Sequence, residues 1–333
     1  MTLRPWRWRR SPWFTLPATA AGLIASLGCQ RGPQTIAVPI ANWPGYEYVY
    51  LAQQLGLDRR HGLAIETPEY PDPQEIVHAY LRGDRPIAQL TTVEAVDLCF
   101  RVPERCPVIV LVLDESLGGD QLAVRNDIAS IPALRGKSVA ATYSTLGPYV
   151  IDRALEQHGL DISDVTVRNM PLERMASALA NGEVAAAALF PPYSEKASRT
   201  GRSRVLFTSR SIPGEIFDVL VADPAYLRQH GEAMVQLLRS WQDAHQAATQ
   251  NPGQAIAIMA RRQGLSSAEF KRAEEGLRYY TLEQQQRMLQ PAGLIAQNLR
   301  RVQQVQQHLQ LSQPGALLPS INASYAKQAM QRP

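Results

Sequence analysis

The chain has 333 residues, 45% of them hydrophobic, with 34 Lys and Arg against 30 Asp and Glu and a formal charge of +4. Arg4, Arg7, Arg9 and Arg10 account for that whole excess, so the remainder is formally neutral. A neutral body without a basic stripe lacks the footprint of a nucleic-acid binder, and a chain of this length exceeds one typical core, so two lobes are expected.

The chain opens on a leader. After the arginines, residues 14–27 form an apolar, alanine-rich stretch that ends Ala25-Ser26-Leu27-Gly28-Cys29. It is shorter than the ~20 residues needed to cross a bilayer, and its order of charge, apolar run and small residue is that of a secretory signal. Cysteine directly after a small residue predicts lipoprotein processing, with 1–28 removed, Cys29 lipidated and 29–34 a linker. Ser26, where such signals usually carry leucine, leaves open a plain cleaved signal with an incidental cysteine. The Arg9-Arg10 pair hints at twin-arginine export, which Pro12 weakens. Either route predicts a periplasmic or other extracytoplasmic protein, held to a membrane by lipid in the first reading.

From Thr35 short apolar runs alternate with helical patterns. Residues 35–40, 63–67, 87–90 and 108–113 read as strands, and 46–55, 73–82 and 93–100 as helices, two of them closed by Gly56 and Gly83. A second set has the same rhythm: strands at 121–124, 138–141, 165–169, 185–189 and 204–207, helices at 147–158, 172–181 and 193–200, with 217–222 completing it. After Pro224 the chain becomes almost wholly helical to about Leu311. The alternation argues for parallel α/β sheets covered on both faces, with the helical tail packing back on the first set. Cys99 and Cys106 form an even pair in an oxidising compartment and close a small loop as a structural disulfide, or remain two buried thiols.

Several motifs in order carry a family resemblance. They are Asn42-Trp43-Pro44-Gly45-Tyr46-Glu47, Tyr50-Leu51-Ala52 with Gly56-Leu57, Gly83-Asp84, Thr91-Thr92-Val93-Glu94, then Asp114, Ser116 and Gly118-Gly119-Asp120. Leu134-Arg135-Gly136-Lys137-Ser138, Asn181-Gly182-Glu183-Val184 and Ile212-Pro213-Gly214 follow. Together, from about Thr35 to Gln250, they resemble the periplasmic substrate-binding proteins of nitrate/taurine/aliphatic-sulfonate-type ABC importers. The resemblance implies a two-lobed type II binding-protein fold of the α/β class, with mixed, mostly parallel sheets and a helical C-terminal extension. It places lobe 1 at 35–117 and 226–333 and lobe 2 at 118–225, with two hinge crossings. It further implies capture of a small molecule and its delivery to a membrane permease; a monomer without cofactor or metal is expected.

Where a ligand sits follows from elementary rules. In open α/β sheets the loops after strands face the crevice, here 42–46, 91–92, 114–120, 142–147 and 191–193. Ser144 and Thr145 open a helix whose free N–H groups make a ready anion site, and Thr91 and Thr92 hold the corresponding place in the other lobe. Each pair also fits an ordinary helix cap. Trp43, Tyr46 and Tyr193 offer aromatic walls, or core packing, and Ser116 lies at the lobe junction. Asp120, Glu215 and Asp218 cut against a simple anion pocket; at least two are expected to be solvated or to hold the hinge. Any that faces the cleft calls for an amine or a donor-rich ring, which keeps sulfonate, nitrate-like and heteroaromatic cargo all open. Relatives commonly carry Trp-Glu-Pro near the last loop, where this chain has Phe190-Pro191-Pro192-Tyr193, so their acidic contact is missing.

Enzyme readings find little. Gly136-Lys137-Ser138 imitates a P-loop, but the glycine required at position 131 is Ile131. The six histidines are scattered, and no Gly-x-Ser-x-Gly elbow is present. A related branch makes a thiamine pyrimidine with a cysteine-rich motif and a cofactor lysine, whereas this chain has only Cys99 and Cys106 beyond the leader. A non-enzymatic solute receptor is expected; a secreted enzyme and a ligand-sensing adaptor on the same fold are the alternatives.

Overall fold

Residues 108–113 are all aliphatic and leave no side chain for a wet face; in the computed structural model all but the first are buried in one strand. The structure describes residues 1–2, 32–70, 72–143 and 145–331. The expectations for the leader and Cys29, and for Ser144, therefore lie outside the described residues.

In chain order the folded body contains β1 (Gln34–Ala37), α1 (Glu47–Gln54), β2 (Leu63–Glu66), α2 (Pro73–Arg82), β3 (Ile87–Thr91), α3 (Thr92–Arg101) and β4 (Val108–Ser116). Next come β5 (Gln121–Arg125), β6 (Ser138–Ala141), α4 (Gly147–Glu156), β7 (Thr166–Asn169), α5 (Leu172–Asn181), β8 (Ala186–Leu189), α6 (Tyr193–Arg199) and β9 (Ser203–Thr208). The chain ends with β10 (Phe217–Ala222), α7 (Pro224–Gln250), α8 (Pro252–Arg262), α9 (Ser267–Glu274), β11 (Leu277–Arg278), α10 (Leu282–Met288), α11 (Leu294–His308), β12 (Ser320–Ile321) and α12 (Ser324–Met330).

Two five-stranded sheets organise the two lobes, in the orders β11-β4-β10-β3 (with β12 on β4) and β7-β6-β8-β5-β9, and β1 pairs with β2 beside them. Both sheets are mixed. The pairs β6–β7 and β6–β8 are parallel, as the alternation predicts, but β5 and β10 run antiparallel to their neighbours. These are the strands that follow the crossings between lobes, where no α-helix intervenes to turn the chain back.

One assignment is corrected. Residues 217–222 do not complete the second set: β10 is inserted between β3 and β4 of the first sheet. Its wholly buried aliphatic pattern suits either sheet, and only the pairing decides. The two crossings lie side by side, stitched by Ser116 N to Ile216 O at 3.0 Å, Gly118 N to Ser209 Oγ at 2.7 Å and Ser209 N to Asp120 O at 2.9 Å. Gly276 closes against them so tightly that a Cβ there would meet Gly119 N at 2.8 Å, a separation real Cβ atoms do not adopt.

The helical tail is not confined to the first lobe. Through Ile295, Leu299, Val302 and Val305, α11 joins one apolar cluster with Val93 and Val96 of α3 and Tyr149 and Val150 of α4. An amphipathic helix with apolar positions at this spacing buries its stripe wherever two other faces meet. Cys99 and Cys106 are joined in a disulfide that closes the loop after α3.

Candidate functional site

The site forms where β3 and β4 end and β10 begins. Thr91 caps α3 in a capping box: its side chain accepts from Val93 N and Glu94 N, while the Glu94 carboxylate accepts from Thr91 N at 2.7 Å. One carboxylate oxygen of Glu94 is consumed there. The other accepts from Leu146 N at 3.0 Å, at the start of α4 on the opposite lobe. The helix start that the sequence offered as an anion site is thus already occupied, by one of the protein's own carboxyl groups.

Asp114 and Asp218 are register partners across β4 and β10. The β4 ladder slips beside them, so that Asp218 opposes Asp114 but Val219 opposes Val112. Bulges of this kind re-aim side chains next to sites. The Trp43 indole N–H donates to Asp114 at 3.1 Å, and Tyr46 OH donates to Asp218 Oδ1 at 2.6 Å. Gly45 makes this possible, because a Cβ at that position would fall on the Asp114 carboxylate. Asp120 stands on the crossing, its backbone N–H donating to Ser116 Oγ at 3.2 Å.

These residues close on a small pocket of about 30 Å³ lined by Trp43, Tyr46, Thr91, Glu94, Asp120 and Asp218, with Pro73, Thr145, Leu146 and Phe190. Phe190 packs edge-on against Trp43 at 5.8 Å between ring centres, making an aromatic wall. No Lys, Arg or His lines the pocket among the described residues. Nor, among them, is any group of three or more His, Cys, Asp or Glu placed to hold a metal ion.

The electrostatics follow from burial without a counter-ion. Desolvation pushes Asp120 up to about 7, against the lowering effect of its hydrogen bond with Ser116. Burial, followed by the repulsion of Asp114, raises Asp218 far above the usual carboxylate range, and burial raises Asp114 as well. Glu94 is also raised by burial, opposed by its hydrogen bonds from Thr91 and Leu146. Two acceptors, Asp120 Oδ2 and Asp218 Oδ2, are buried with no hydrogen-bond partner among the described residues. Such groups are costly unless something supplies a donor.

Six of the residues expected from sequence line the pocket: Trp43, Tyr46, Thr91, Thr145, Asp120 and Asp218. The others do not. Ser116 holds the crossing, sharing a 2.8 Å hydrogen bond with Ser209. Thr92 is buried in α3 away from the lining. Tyr193 sits behind Phe190, and its hydroxyl accepts from Asn42 at 3.4 Å. Of the three acids in doubt, only Glu215 holds the hinge, accepting from Arg153 at 2.7 Å and Tyr149 at 2.8 Å. Asp120 and Asp218 reverse the expectation, since residues at strand ends beside a crossing point into the gap the crossing leaves. Thr91 and Thr145 spend their hydroxyls locally, on Glu94 and on Thr142 O, so they do not form a facing anion pair. Glu94, Asp114 and Phe190 were missed as site residues. Thr91-x-x-Glu94 is a legible capping box, but only the tertiary fold brings Leu146 to its second oxygen.

Residues 43–255 match the family described as NMT1/THI5 like. The chain belongs to that family. A protein of Brucella abortus (strain 2308) is 22% identical over 225 residues, which are 67% of this chain and 69% of that protein. The alkanesulfonate-binding protein SsuA from Xanthomonas axonopodis pv. citri, solved bound to MOPS, superposes with a TM-score of 0.72 at 16% identity, covering 86% of this chain and 97% of that one. The desulfurization enzyme DSZB superposes with a TM-score of 0.64 at 17% identity, covering 89% and 99%. The resemblance and fold class read from the sequence are borne out, and the fold is shared by binding proteins and at least one enzyme.

Proposed function

We propose that this family member is an extracytoplasmic solute-binding protein of an ABC import system that captures a small nitrogenous solute, cationic or rich in N–H donors, between its lobes. The observation that carries this reading is the set of buried carboxyls Glu94, Asp120 and Asp218 lining a pocket with no cation described in its lining, with Asp114 paired to Asp218 on the next strand. At an effective dielectric near 20, a cation about 4 Å from an ionised carboxylate gains about 4 kcal/mol, whereas a helix start offers an anion only about 0.3–1 kcal/mol. Here that helix start is engaged by Glu94. A ligand N–H also supplies what Asp120 Oδ2 and Asp218 Oδ2 need. Sulfonate, which the Xanthomonas neighbour binds, and nitrate are therefore the weaker candidates for this chain. Lipid anchoring at Cys29 and closure about the crossings at 117–120 and 209–216 belong to the same proposal, as does the absence of catalysis.

Thermal-shift screening of the protein against methylamine, 4-aminopyrimidine, guanidine, nitrate and methanesulfonate tests it. Binding to the native state raises the melting temperature by mass action. Shifts from the nitrogenous members with flat traces for the two anions are the expected result. Shifts from the anions, with affinity falling as pH rises, would mean that the acids bind cargo as protonated donors and would overturn the reading.

A further inference from the structure

The pocket among the acids, at about 30 Å³, has room for one or two waters' worth of atoms, far below the roughly 300–1,000 Å³ of ordinary ligand sites. Beside it lies a chamber of about 350 Å³. Glu94 and Thr145 line both spaces and form the boundary they share. The chamber is mostly apolar, walled by Val93 from α3, Tyr149 from α4, Ile162, Val167 from β7 and Leu309 after α11. Its polar lining includes Glu94, Asp97, Thr145 and Gln306, and one of these is left short of a partner. Gln306 lines the chamber and is 2% exposed; its amide N–H donates to Val93 O at 2.8 Å, which leaves Oε1 buried with no partner among the described residues.

We propose that this chamber seats the apolar body of the same solute whose nitrogen the carboxyls hold, so that the ligand class is an amphiphilic amine and not a compact ion. The proposal rests on the nitrogenous reading and deepens it. The acid pocket accepts only a head group, the adjoining chamber has the volume and lining for a hydrocarbon or aromatic body, and Gln306 Oε1 offers an acceptor for one further donor. The chamber draws its walls from α3 in the first lobe, α4 and β7 in the second, and the end of α11. A ligand filling it would therefore be gripped by three parts of the fold.

Isothermal titration of the full chain with ethylamine, propylamine, butylamine and hexylamine at pH 8 decides the matter. Burial of each methylene predicts binding roughly fourfold tighter per added carbon. Val167→Trp, which fills the chamber, should flatten that slope. Leu309→Ala should weaken hexylamine more than ethylamine, by about tenfold, and serves if the tryptophan variant does not fold. Amines that bind with affinity independent of chain length would overturn the chamber and leave the nitrogenous reading standing. A slope that neither variant changes would place the alkyl chain elsewhere and overturn it as well. If no amine binds, both fall together.

Discussion

Acids close together in the chain have opposite surroundings. Glu115 accepts from Gly214 N at 2.7 Å and is paired with Arg278 and Tyr280; Glu215, just before β10, is held by Arg153 and Tyr149. Asp114 on β4 and Asp218 on β10 face each other, and the donors they meet are neutral, an indole and a phenol. Strand alternation puts Asp114 and Glu115 on opposite faces of β4. One face has its charge neutralised and serves as a lock for the crossings. The other has no cation beside it among the described residues, as the proposed capture of a nitrogenous solute requires.

The largest effect should come from breaking the open face. Asp218→Asn removes one of the acids that a ligand cation would meet and is expected to weaken amine binding by about 4 kcal/mol, roughly a thousandfold, as read by titration. The same change should raise the melting temperature of the ligand-free protein, since it deletes a carboxyl that burial disfavours. Breaking the locked face should do the reverse. Arg153→Met leaves Glu215 without its closest cation and is expected to cost about 3 kcal/mol in urea unfolding, measured on the ligand-free protein.

Acidity sharpens the contrast without mutation. The Asp120 carboxyl is raised in the folded state to about 7, above the ordinary aspartate value of about 3.9. Stability from this group is present below the unfolded value and is lost as pH rises through the folded one, a window of about pH 4 to 7. Ligand-free protein should therefore melt lower at pH 7.5 than at pH 5. Amine affinity should move the other way, rising by up to about tenfold per pH unit for each carboxyl that must ionise, with proton release seen in buffers of different ionisation enthalpy. The smallest effect is expected at the surface. Arg199 and Glu269 form an ion pair whose arginine is 53% exposed, and Arg199→Ala should change stability by less than about 1 kcal/mol.

Much of this was legible in the residues. Strand and helix alternation gave the two sets because apolar periodicity and glycine stops are local signals, and Gly83 indeed ends α2 in the left-handed conformation at φ 85°. Trp43, Tyr46 and Asp218 could be named because they flank strand ends. What the sequence left dark depended on distant partners. Residues 217–222 are apolar enough for either sheet, so their place between β3 and β4 is a property of pairing and not of composition. Tyr193 and Phe190 are near neighbours of similar size, and only the packing against Trp43 says which one faces the pocket. Glu94 reads locally as a cap, and its second duty exists only once residue 146 stands opposite.

That second duty of Glu94 has a consequence for selectivity. A side-chain carboxyl is seated at the start of α4, where a passing sulfate, phosphate or chloride would find backbone hydrogens waiting. In the proposed receptor an inorganic anion must evict it before it can lodge at that helix start, with no repulsive residue needed on the outer surface.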